Sequence, residues 1–108
     1  MSTAKYQATN QKFTAFFNRV TKARLSGAEL APALAEAVGA ELAQLNPASD
    51  LPPDAARHWN GFVETYITFG GPDPLSKLRQ LGPGDAETAM ERIGDVQQVL
   101  SDSLRRAR

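Results

Sequence analysis

His58 is the single histidine of the chain, set between Arg57 and Trp59. Imidazole titrates near physiological pH, so this side chain could act as a pH-sensitive contact. No serine lies near it and no Gly-x-Ser-x-Gly elbow occurs, so a nucleophilic hydrolase site is not expected. An ordinary surface or boundary histidine is the preferred reading. Trp59 and Tyr66 stand seven residues apart and share one helical face with His58 close by. An exposed aromatic pair of that kind could anchor a protein partner. Phe62, Val63 and Ile67 fall on the same face, and their company favours the core.

Glu87, Glu91 and Asp95 recur at intervals of four. That spacing lines carboxylates along one side of a helix, where they could hold a hard cation or do acid/base work. Arg92 and solvent dilute the field, and a solvated polar face is preferred. A di-metal carboxylate site needs Glu-x-x-His on several helices, and the chain has none. Structural zinc needs several Cys or His ligands, whereas this chain has no cysteine and one histidine. The Gly70-Gly71 and Gly82-Pro83-Gly84 stretches are not followed by Gly-Lys-Ser/Thr, so they read as helix stops and not as phosphate loops. No metal, no cofactor and no catalytic residue is expected.

Charge is the remaining functional signal. Twelve basic and twelve acidic residues cancel overall, yet Lys5, Lys12, Arg19, Lys22 and Arg24 leave residues 1–25 without any acid. Residues 26–56 reverse this, with Glu29, Glu36, Glu41, Asp50 and Asp54 and no Lys or Arg. Lys12, Arg19, Lys22 and Arg24 are therefore the candidate contacts to nucleic acid, where clustered cations gain affinity by releasing counterions. They do not all share a face. The preferred alternative is internal, with a basic first helix lying beside an acidic second one so that Glu29, Glu36 and Glu41 meet it.

The elements that position these residues follow from periodicity. Seventeen alanines and few β-branched residues favour helix over strand. Phe13, Phe16, Phe17 and Val20 recur at three and four, giving a helix over about 9–24, with a stripe that could reach back to Tyr6. Ser26 and Glu29 match a capping box for a second helix over about 27–45, carried by Leu30, Leu34, Val38, Leu42 and Leu45. Pro32 either kinks that helix or marks its true first turn. Asn46 to Pro53 reads as a stiff surface connection. A third helix over about 54–69 carries Trp59 to Ile67. Asp73 and Pro74 open a short helix over about 74–81, and Asp85 caps a long one over about 86–105.

The chain is thus expected to be all-α, a compact bundle of four main helices plus one short one, forming a single domain over 1–108. A chain of this length buries about 60 to 70% of its unfolded surface in one core. No stretch approaches the apolar length that spans a bilayer, so no membrane partner is expected and a cytoplasmic location is the default. The expected function is a small interaction module, a regulator, adaptor or inhibitor without catalysis of its own. Its partner is another protein or a second copy of itself. A nucleic-acid binder using the basic first helix, and an enzyme with an unfamiliar site, are the alternatives.

Overall fold

A computed structural model describes residues 4–67 and 72–106, and every regular element in them is helical. The order is α1 (Ala4–Leu25), α2 (Leu30–Ala37) running into a π turn (Val38–Leu42), α3 (Pro47–Asp50), α4 (Pro53–Tyr66), α5 (Ser76–Arg79) and α6 (Pro83–Arg106). Four of these are long, which is the all-α bundle anticipated from periodicity.

Helix α1 begins at Ala4, a turn and a half before the expected residue 9. Ala4, Gln7 and Ala8 are good helix formers, Tyr6 packs against the core, and the buried Thr9 hydroxyl donates to the Lys5 carbonyl at 3.0 Å. At the other end the helix closes on Gly27, whose φ of +97° lies in the left-handed region that glycine enters without penalty. The Ala28 amide donates to the Ala23 carbonyl and the Gly27 amide to that of Arg24, both at 3.0 Å. This pair of bonds is the Schellman arrangement, and it turns the chain sharply into α2.

The expected capping box does not form. The Ser26 hydroxyl donates backward to the Lys22 carbonyl at 3.1 Å, so it belongs to the end of α1. Glu29 caps α2 by its backbone alone, and the first helical bond runs from the Ala33 amide to the Glu29 carbonyl at 3.2 Å. Pro32 therefore sits three residues into a helix that starts at Leu30, where its missing N–H would have had no helical acceptor. The helix expected over 27–45 is shorter at both ends, because Schellman geometry occupies its start and the π turn ends it at Leu42.

The connection over 46–53 runs at the surface through residue 50, as expected, but it is wound into a turn and buries Leu51 and Pro52. Asn46 Oδ1 accepts from the Ala48 amide at 3.2 Å while Asp50 Oδ2 accepts from the Asn46 amide at 2.9 Å, and this reciprocal pair winds the single turn of α3. Leu51 then takes the extended backbone that a following proline imposes, and it delivers its side chain to the core at 3% exposure. Helix α4 stops at Tyr66, with Ile67 already extended, and not at residue 69. Residues 68 and 69 of that expectation, and the Gly70-Gly71 stop, lie outside the described residues. Helix α5 is a single turn, shorter than the expected 74–81, and Asp73 does not cap it: Leu75 is the N-cap, without a side-chain cap bond, and the Asp73 carboxylate accepts from the Leu75 amide at 3.1 Å just before the helix. Helix α6 starts earlier than expected, at Pro83, where a proline needs no amide partner. Asp85 thus lies inside its first turn, and the Ala86 amide bonds the Gly82 carbonyl at 2.8 Å.

Packing joins α4 to α6, α1 to α2, and both α1 and α2 to α6, with α5 laid against α2. The core is Phe13, Phe16 and Val20 from α1, Leu34, Val38 and Leu42 from α2 and its π turn, Phe62 from α4, and Ile93, Val96 and Leu100 from α6. An aromatic run links two of the layers. Phe13 meets Trp59 edge-on at 6.1 Å, Trp59 stacks on Phe62 at 5.3 Å, and Phe62 meets Tyr66 at 5.0 Å. Each such pair adds about 0.5 to 1.5 kcal/mol beyond the area it buries. A polar seam sets the register of α1 on α6, where Gln97 Nε2 donates to Asn10 Oδ1 at 3.2 Å and to Thr14 Oγ1 at 3.3 Å.

Candidate functional site

The π turn, α4 and the segment leading into α5 do not close against one another. Between them lies a cleft of about 520 Å³. Val38, Leu42 and Leu45 form one wall, Trp59, Val63 and Ile67 a second, and Pro74 and Leu75 a third. Asn60 and Asp73 are the polar side chains at its edges. The volume falls in the range of pockets that take a ligand or an anchoring side chain, and a mostly apolar lining with a few polar groups is typical of them.

Each wall has a local cause. Trp59 and Val63 are one helical turn apart on α4, so they present side by side. Trp59 is held by its stack on Phe62 and its edge contact with Phe13, and it is only 5% exposed. Gly39 lets the third wall approach, since a Cβ at that position would lie 3.0 Å from the Leu75 side chain. Asp73 holds that wall in place. It accepts from the Leu75 amide and receives both guanidinium nitrogens of Arg79, with Nη2 to Oδ1 at 3.1 Å. The hydrogen bond from Arg79 keeps the Asp73 carboxyl below its usual pKa, with the Leu75 amide and the Arg79 charge adding to it. Asp73 in turn raises that of Arg79.

The residues singled out from sequence are dispersed. Trp59 lines the cleft, but Tyr66 is buried at 7% exposure and meets Phe62, so the two do not stand as an exposed aromatic pair. His58 is exposed on the side of α4 away from the core. Lys12, Arg19, Lys22 and Arg24 are all exposed, but two of them are engaged. Arg19 Nε pairs with Glu41 Oε1 at 2.7 Å, and Arg24 Nη1 donates to the Ala28 carbonyl at 3.1 Å. The expected meeting of basic α1 with acidic α2 is thus made by Glu41, while Glu36 faces Lys22 and Arg19 across a shallow groove without an ion pair. Glu29 is exposed and has no ion-pair partner among the described residues.

Glu87, Glu91 and Asp95 are exposed on α6, and among the described residues no group of three or more His, Asp or Glu is placed to hold a metal ion. No helix among the described residues is long and apolar enough to cross a membrane. Sequence reasoning assigned Val63, Ile67 and Leu75 to apolar stripes but missed that they border a gap. Periodicity reports which face is apolar and is silent on where two faces fail to meet. No family model matches the chain, and comparison with curated proteins and with solved structures finds no match.

Proposed function

We propose that this protein is a small helical interaction module, without catalysis of its own, that receives apolar side chains of another protein in the cleft between the π turn, α4 and Leu75. The observation that carries the reading is the cleft's lining: apolar on three walls, with Trp59 already locked by Phe13 and Phe62. A wall whose rotamers are fixed before binding loses little side-chain entropy when a partner arrives. A buried aromatic at the centre of a contact is where binding energy concentrates. A cytoplasmic setting belongs to the same proposal. The nucleic-acid alternative draws less support, because Arg19 is already paired with Glu41 and the four cations do not share one face of α1.

The test is cross-linking of tagged protein in its native lysate, comparing the chain with Val63→Asp and with the paired Lys12→Ala, Lys22→Ala variant. Val63 is half-buried on the cleft wall, so a carboxylate there spoils the lining while circular dichroism checks the fold. The expected result is a partner retained by the parent and by the lysine variant but lost with Val63→Asp. Equal retention by all three, or loss only with the lysine variant, overturns the reading. A metabolite panel that raises the melting temperature of the parent but not of Val63→Asp would instead assign the cleft to a small ligand.

A further inference from the structure

The corner where α1 turns into α2 carries a second hollow, of about 560 Å³, far wider open than the cleft. At its edge stands Leu25, 84% exposed, the one large hydrophobic side chain fully presented to solvent among the described residues. Val20, Leu30 and Met90 supply the apolar floor. Arg24 and Glu87 flank it with one charge of each sign, and they do not pair with each other. The Glu87 carboxylate has no ion-pair partner among the described residues. The corner is held by the Schellman bonds on Gly27, so Leu25 is presented on a fixed turn.

We propose that this hollow is a twofold self-association surface, in which Leu25 of each copy enters the hollow of the other and Arg24 faces the partner subunit's Glu87. A twofold contact is self-complementary: whatever residue i meets across it, the reverse contact is made as well. A patch carrying an apolar projection, an apolar recess, one cation and one anion satisfies all four in that arrangement. An unrelated partner would have to supply the matching set. The contact is carried by one projecting leucine and one hollow on each copy, so the dimer forms at high concentration and is weak.

Sedimentation velocity from micromolar to near-millimolar concentration tests this. The parent should shift toward twice its 11.7 kDa mass as concentration rises. Leu25→Ser, at a solvent-exposed position, should remain monomeric throughout. Arg24→Glu and Glu87→Arg should each weaken association at least about tenfold, because each sets like charges face to face. Mixing those two single variants one to one should restore it, since both cross-contacts then join opposite charges. A parent that stays monomeric at the highest concentration overturns the proposal. So does self-association of Leu25→Ser at the parent's strength, or a mixture no better than its components. Val63→Asp lies on the other cleft and should self-associate as the parent does, so failure here and failure of the proposed function are distinguishable.

Discussion

Asp73 does two jobs with one carboxylate, accepting from the Leu75 amide and from the Arg79 guanidinium. Its pKa in the folded chain lies below the 3.8 of an unperturbed aspartate. A depressed folded value means that the stabilisation is fully present above about 3.8 and is lost as pH falls below it through the folded pKa. An NMR titration of the Asp73 carboxyl should therefore show a midpoint below 3.8, and the Leu75 amide should lose protection from exchange as that midpoint is crossed. Asp73→Asn should flatten the pH dependence of the Leu75 signal. A midpoint at or above the ordinary value would remove Asp73 from its role on the cleft wall. Sequence marked Asp73 as a helix cap, because Asp before Pro signals a helix start, but the helix begins three residues later with Leu75 as its cap. It did not disclose Arg79, six positions on, whose reach depends on how tightly a one-turn helix winds.

Helix ends show most clearly where local signals compete. Ser26 and Glu29 have capping-box spacing, but the same serine can also bond backward to the end of the preceding helix, and that bond forms. The deciding residue is Gly27, which completes the end of α1 and leaves no room for α2 to start before Leu30. Pro32 falls into the first turn as a result. Pro32→Ala should therefore lower stability slightly, by less than about 1 kcal/mol, through the freer unfolded chain. Denaturant unfolding checks it. A gain near the roughly 3 kcal/mol that relieving a mid-helix proline brings would contradict the helix start at Leu30. The stretch over 46–53 shows the same competition. Its prolines suggest exposure, but Asn46 and Asp50 wind a turn that swings Leu51 inward.

Charge segregation between the first and second segments organises the molecule weakly. Arg19 and Glu41 make the single ion pair between α1 and the α2–π unit among the described residues, with side-chain exposures of 51% and 22%. At that exposure a pair contributes about 0 to 1 kcal/mol, so it biases which helices lie side by side without holding them there. A double-mutant cycle with Arg19→Ala and Glu41→Ala, read by urea unfolding, should give a coupling below about 1 kcal/mol that shrinks with added salt. A coupling of several kcal/mol, or one indifferent to salt, would mean that the pair is desolvated in a way its exposure denies. Sequence alone determined that the chain is helical, which residues form the apolar stripes, and that the basic segment lies next to an acidic one. These properties are set within a few turns of backbone, where propensity and 3.6-residue periodicity act. The same stripes favoured a core place for Trp59 and Tyr66, and both are buried. Only tertiary structure decided that Leu25 projects from its corner, and that the stripes of α2, α4 and α5 leave a cleft between Val38, Val63 and Leu75. A gap between helices depends on how side chains from distant positions fill a shared volume, and no single stripe carries that information.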